Sequence, residues 1–233
     1  MIKDIVKSVA GAWLSASFPW MAPLQEILKG GATLSETILF EKLYFVLQEQ
    51  DSDFDEWLKL SEKFNENSES YNKMIHQLIY YVNAINECEL LQAYSNLLRA
   101  YKCGLICKND FFRLSFCLTK LLAEDARYLA KNINREQIEE NIYCFSLSSN
   151  NLMYNKSRGF SVDEDDMMKE WYAFTPMGKM LDKYALSYGN EEKYHYNTED
   201  KPLAEQKLEY NSILTVTATN DEVEEYLGLY GEE

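Results

Sequence analysis

Few side chains in this 233-residue chain are equipped for chemistry. The only histidines, His76 and His195, stand in unrelated contexts, which narrows the options for a general base. Of the five cysteines (Cys88, Cys103, Cys107, Cys117 and Cys144), Cys103 and Cys107 are four apart. That pair offers at most half of the roughly four ligands a zinc site needs. The most charged point of the central region is Glu124-Asp125 with Arg127. Paired carboxylates could do acid–base work, but on a helix the same spacing describes a surface ion pair, with Arg127 reaching a carboxylate one turn earlier. There is no P-loop, dinucleotide-binding glycine pattern, nucleophile elbow or His-Glu-x-x-His helix. The sequence therefore predicts no enzyme, no catalytic residues, no metal and no cofactor. Two sets of contact residues remain as candidates. Trp13, Phe18 and Trp20 suit a membrane or partner contact, and Lys156 and Arg158 suit a wing contact.

The elements that must position these residues are predicted to be helices. Hydrophobic residues make up 46% of the chain against 9 Gly and 4 Pro, a balance that favours long helices over many short strands. The strongest periodic signal runs from Glu87 to Asn132, read as two amphipathic helices joined at Gly104. Leu91, Tyr94, Leu97, Leu98 and Tyr101 stripe the first; Phe111, Leu114, Leu118, Leu121, Leu122 and Leu129 stripe the second. Gly104 suits a left-handed helix end, and Asn109 or Asp110 a helix start. Upstream, Ser35 is expected to cap one helix, Asp51-Ser52-Asp53 to separate it from the next, and Ser68 to begin a third. That third helix carries the row Tyr71, Met74, Ile75, Leu78, Ile79, Val82 and Ile85, with His76 just off it at the rim. The row lasts little more than two heptads, enough for a bundle and too short for a coiled coil.

The first 29 residues carry an apolar helical face broken by Pro19 and Pro23. Its apolar part falls short of the roughly 20 residues that span a bilayer, and it has no cleavage-type ending. It reads either as an interfacial segment, with Trp13, Phe18 and Trp20 at headgroup level above Lys3 and Lys7, or as packing on the core or a dimer partner. An odd cysteine number without a secretory signal predicts a reduced, cytoplasmic chain. The net charge of -15 opposes binding to nucleic-acid phosphates and to anionic membranes; it is compatible with a basic protein partner or with solubility alone.

After the central pair a short polar helix is expected over Arg135 to Asn141. Then follow an apolar Leu-Met-Tyr, a charged loop over Asn155 to Glu170, and a strand over Trp171 to Phe174. Thr175 is the expected cap of a last helix, with Pro176 at its first position. This order, with Tyr172-x-x-Thr175-Pro176-x-Gly178, resembles a winged-helix module over roughly Asp110 to Leu186. A winged helix implies DNA binding through a recognition helix. Here that helix would include Ser146, Ser148, Ser149, Asn150 and Asn151 without Arg or Lys, and Asp163 to Asp166 follow Lys156 and Arg158 at the wing. Those charges suit a protein contact better than base readout.

Four further stretches set the layout of the whole chain: FPWMAPLQEIL (Phe18 to Leu28), LFEKLYFVLQE (Leu39 to Glu49), LLQAYSNLLRAY (Leu90 to Tyr101) and YAFTPMGKMLDKYAL (Tyr172 to Leu186). The chain thereby resembles the abortive-infection alpha-type helical proteins of bacterial phage-defence islands and prophages. The resemblance implies an accessory or effector component of phage conflict, in some cases membrane-associated, and brings no catalytic residues.

The resulting expectation is a mainly α protein in three parts. Residues 1–106 form a helical bundle, 107–188 a small winged-helix-like module, and 189–233 an acidic tail with one strand over Ile213 to Thr219 and a short helix over Glu222 to Tyr230. The expected work is protein binding in phage defence or counter-defence, with an unidentified protein partner. Homo-oligomerisation and peripheral contact at the inner face of the membrane are open additions, and nucleic acid is disfavoured. One alternative is an acidic phage-encoded inhibitor of a host nucleic-acid-binding defence enzyme. A second is a winged-helix DNA-binding regulator.

Overall fold

The computed structural model describes residues 34–48, 68–156, 170–196 and 200–206. Within them the chain is mainly helical. Helices α1 (Leu34–Gln48), α2 (Ser68–Ala84), α3 (Cys88–Lys102), α4 (Lys108–Leu118) and α5 (Ala123–Asn132) come first. They are followed by β1 (Ile138–Glu139), α6 (Ile142–Ser149), β2 (Met153–Asn155), β3 (Trp171–Phe174) and α7 (Pro176–Leu181), which runs into a π-helical turn, Asp182–Leu186.

Helix α3 is the axis of the core. Its stripe of Leu90, Leu91, Tyr94, Leu97 and Leu98 is buried, and it packs against α1, α4 and the π-helical turn. Each leucine fully removed from water contributes about 1.5–3 kcal/mol, so this one helix face is a large share of the driving force. Polar side chains on α3 fix its neighbours. The Ser95 hydroxyl donates to the Val46 carbonyl of α1 (3.1 Å), and the Asn96 amide donates to the Ala185 carbonyl of the π-helical turn (2.9 Å). On α2, Met74, Leu78 and Val82 face inward, and Ile85 continues the row just past the helix end. Lys42 of α1 closes that end, donating to the carbonyls of Ile85 (2.6 Å) and Asn83 (3.1 Å), which a helix terminus leaves without partners. His76 is exposed, as a rim residue should be.

Gly104 ends α3 with φ +74°. The Leu105 N–H reaches the Ala100 carbonyl (2.9 Å) and the Gly104 N–H reaches that of Tyr101 (3.0 Å), the paired bonds of a Schellman cap. Helix α6 ends in the same way, with Asn151 taking the left-handed position at φ +59°. There Leu152 N–H bonds the Leu147 carbonyl (2.9 Å) and Asn151 N–H that of Ser148 (3.0 Å).

Several local expectations are corrected. The second central helix is two: α4 stops at Leu118, and α5 starts after Leu122, which is 62% exposed at the turn instead of sharing the buried stripe. The turn is stabilised from another helix pair, since both oxygens of the Glu87 carboxylate lie 3.2 Å from the Ala123 N–H at the start of α5. Neither Asn109 nor Asp110 caps α4. Cys107 occupies that position without a side-chain bond, and the buried Asp110 carboxylate accepts the Leu203 N–H (3.0 Å), tying the later chain to the bundle. Ser35 lies inside α1, which begins at Leu34. The segment Arg135 to Asn141 contains strand β1, because pairing Ile138 with Tyr172 buries Ile138 in a way an isolated polar helix could not. Cys88, Cys103 and Cys107 are exposed, and Cys117 and Cys144 are buried in the apolar core.

Strand β3 and the cap of α7 stand where the sequence places them. The Thr175 hydroxyl accepts the Gly178 N–H (3.0 Å) and donates to the Asn151 carbonyl (2.7 Å), joining α7 to the α6 corner. The sheet has the order β1-β3-β2, all antiparallel, with Ile138 opposite Tyr172 and Met153 opposite Phe174. The expected elements over Asp51 to Phe64, Ile213 to Thr219 and Glu222 to Tyr230 lie outside the described residues.

Candidate functional site

Helix α6 is the most exposed apolar element beside the sheet. Asn141 caps it, accepting the Tyr143 N–H (3.0 Å). Cys144 and Leu147 turn inward, while Ser146 donates to the buried Asp125 carboxylate of α5 (2.5 Å). Tyr143 stacks on Tyr128 of α5 with centroids 4.3 Å apart. These contacts fix the rotation of the helix and leave Ile142 (78% exposed) and Phe145 (57% exposed) on its outer side. Phe145 stands edge-on to Tyr172 of β3 at 6.2 Å, so its ring is positioned although it faces solvent.

Acidic groups border this face. Glu139, Glu140 and Glu170 are all exposed at the β1–β3 edge, and the Glu140 N–H bonds the Glu170 carbonyl (2.9 Å). The Glu170 carboxylate accepts the Tyr172 hydroxyl (3.1 Å) and the Asn155 amide (2.6 Å). Their charge is felt nearby. Burial, the hydrogen bond to Glu170 and the Glu170 and Glu140 charges hold the Tyr172 phenol above its ordinary pKa. Burial, with a smaller push from Glu140, raises the Cys144 thiol. An apolar pair beside carboxylates, on a helix with no Lys or Arg, can grip a protein surface that is apolar and basic. It is a poor phosphate or base-edge reader.

The residues singled out from sequence fare unevenly. Trp13, Phe18, Trp20 and Arg158 lie outside the described residues. Lys156 is half-buried at the end of β2, on the sheet edge opposite β1, with its backbone N–H on the Trp171 carbonyl (2.7 Å). Arg127 pairs with Glu89 of α3 (2.9 Å) and not within its own helix, while Asp125 is bonded to Ser146. The suspected acid–base cluster is thus divided between two structural contacts. The sequence does not mark Ile142 and Phe145, because IYCFSL has too many apolar residues in a row to show which ones face out.

A second polar concentration surrounds the π-helical turn. The Asp182 carboxylate, fully buried, is 2.7 Å from the Lys193 ammonium and accepts the Ser187 hydroxyl (2.8 Å) and the Tyr194 phenol. Asp200 accepts the Lys183 ammonium (2.7 Å) and the Tyr184 phenol. Burial, then these carboxylates, push the Tyr184 and Tyr194 phenols up, so both remain donors. The Lys193 ammonium also bonds the Ala130 carbonyl (2.8 Å). This network fastens the chain after Ser187 onto α5 and the π-helical turn.

Among the described residues no group of three His, Cys, Asp or Glu side chains could hold a metal ion, and no helix is long and apolar enough to cross a membrane. Compared with known proteins, the chain matches no protein-family model, no curated protein and no solved structure.

Proposed function

We propose that the chain acts without catalysis, by binding a protein through the outer face of α6, in the phage-conflict setting its sequence layout resembles. The observation that carries this reading is the pair Ile142 and Phe145, exposed on a helix without cations and bordered by Glu140 and Glu170. The unit from α4 to β3 supports a winged-helix reading. Two helices, a short strand, a helix and an antiparallel pair follow in order, with β3 between β1 and β2. In such a unit the helix before the hairpin is where a DNA reader needs cations. Here that helix offers apolar side chains instead.

The test is site-specific photo-crosslinking in bacteria carrying the full chain, with the reactive residue at Ile142 or Phe145 and a control at exposed Glu41 of α1. A discrete protein adduct at the first two positions, lost on Glu140→Lys and Glu170→Lys, is the expected result. Equal labelling at all three positions, or none, would overturn the reading. The same acidic border favours a second reading, an inhibitor that occupies a basic nucleic-acid channel of a host defence enzyme. Binding to such an enzyme that weakens steeply with salt would mark it. Retention on duplex DNA at physiological salt would instead revive the regulator.

A further inference from the structure

A second surface feature lies apart from the α6 face. An open groove of about 500 Å³ runs between the end of α2, the outer side of α4, the α6 corner and the start of α7. Tyr81, Phe112 and Phe116 supply its rings, with Met177 beside them and Arg113 and Asn151 at its polar positions. Phe112 and Tyr81 are in ring contact at 6.2 Å, and Phe116 is 50% exposed.

The charges here run against the rest of the chain. Acids outnumber bases 38 to 23, yet Arg113 is exposed with no ion-pair or hydrogen-bond partner among the described residues. The Lys120 ammonium lies 5.5 Å from the centre of the Phe116 ring and has no carboxylate partner among them either. Arg113, Phe116 and Lys120 therefore form one stripe of cation, ring and cation. Arg113 and Phe116 are neighbours one turn apart on α4, and Lys120 stands two residues past its end at Leu118. At the α6 end of the groove the Asn151 carbonyl accepts the Thr175 hydroxyl (2.7 Å) and the Asn150 carbonyl accepts the Cys117 thiol (3.7 Å). The Leu147 and Ser148 carbonyls bond the Schellman amides, and that of Ser146 bonds the Ser149 hydroxyl (2.7 Å) and the Asn150 amide (3.1 Å).

We infer that this groove binds an acidic peptide segment of a partner protein, in which a large apolar side chain meets Phe116 and a neighbouring carboxylate meets the Arg113 guanidinium. The planar guanidinium fork suits a carboxylate in two-point contact, and the rings supply apolar area that a free inorganic anion could not use. A nucleic-acid strand would bring many charges against a chain of net charge -15, whereas such a peptide brings one or two. The groove takes in the last residue of α6 but neither Ile142 nor Phe145, so one chain could hold two partners or two parts of one.

The experiment is selection from a random-peptide display library on the full chain and on Arg113→Glu, with a chosen peptide then titrated against both and against Arg113→Ala. The native chain is expected to enrich Asp or Glu within two or three positions of Leu, Phe or Trp, and Arg113→Glu to enrich Lys or Arg instead. Affinity for the chosen peptide should fall about tenfold in Arg113→Ala, as for loss of one charge-assisted contact, with the melting temperature unchanged. Phe145→Ser should bind that peptide as the native chain does. Absence of enrichment, the same charge preference in Arg113→Glu, or loss of binding in Phe145→Ser would each overturn the inference.

Discussion

The surroundings of Asp182 and the outer face of α6 use their expressive side chains in opposite ways. Around Asp182 and Asp200 two carboxylates, two ammonium groups and several tyrosines are concentrated, and they are turned toward one another. On α6, two ordinary hydrophobic side chains face water with no internal contact large enough to cover them. Chemical variety thus marks the fastening of this molecule, and uncovered apolar area marks the surface proposed for a partner. The contrast can be broken by perturbing the fastening and asking whether only stability responds.

The largest effect is expected from Asp182→Ala. The carboxylate is fully buried, and its removal leaves the Lys193 ammonium, itself largely buried, without its ion-pair partner. Breaking a buried pair in this manner costs about 3–5 kcal/mol. For a chain of this size that corresponds to a fall in melting temperature of several degrees per kcal/mol. Partner binding measured well below the transition should be unchanged. A variant that melts normally but no longer binds would make the Asp182 network a site and would dissolve the contrast.

Gly178→Ala is next. A Cβ there would stand 2.4 Å from the Leu152 carbonyl oxygen, a backbone atom already held by the Thr175 N–H at 3.0 Å. The corner cannot yield as a flexible side chain would, so the substitution should cost about 1–3 kcal/mol in chemical denaturation. Because α7 carries Met177 into the groove, the acidic peptide should also bind less tightly to this variant, while the α6 crosslinks persist. An unchanged denaturation midpoint would mean that the α6 corner and α7 are less rigidly joined than these distances require.

The two regions also differ in how far the amino-acid order reveals them. Periodicity was enough for α3, since Leu91, Tyr94, Leu97 and Leu98 leave only one way to face the core, and Thr175-Pro176 was enough for the start of α7. It failed where a contact distant in sequence decides. Glu87 fixes the start of α5 from 36 residues away, and Ile138 becomes a strand residue only because Tyr172 lies opposite. Neither surface site could be read from the order alone. The outward turn of Ile142 and Phe145 is set by Asp125 and Tyr128 on another helix, and the isolation of Arg113 is a property of what folds beside it.

The smallest effect tests the interior from the other side. The Tyr94 hydroxyl is buried at the centre of the core with no hydrogen-bond partner among the described residues, an open polar valence where the Asp182 network has none. Removing it should help. Tyr94→Phe keeps the ring that packs on Phe111 at 6.0 Å and is expected to raise stability by about 1 kcal/mol at neutral pH. Burial, with the nearby Tyr81 phenol, holds the Tyr94 pKa well above its ordinary value. The native state therefore keeps a proton that the unfolded chain releases near pH 10, and above that pH stability falls as pH rises. The variant lacks this one contribution. Its advantage over the native chain should be constant below about pH 10 and should widen above it, measured by urea unfolding across that range. A variant less stable at neutral pH would show that the hydroxyl has found a partner. The core would then be as fully satisfied as the network around Asp182.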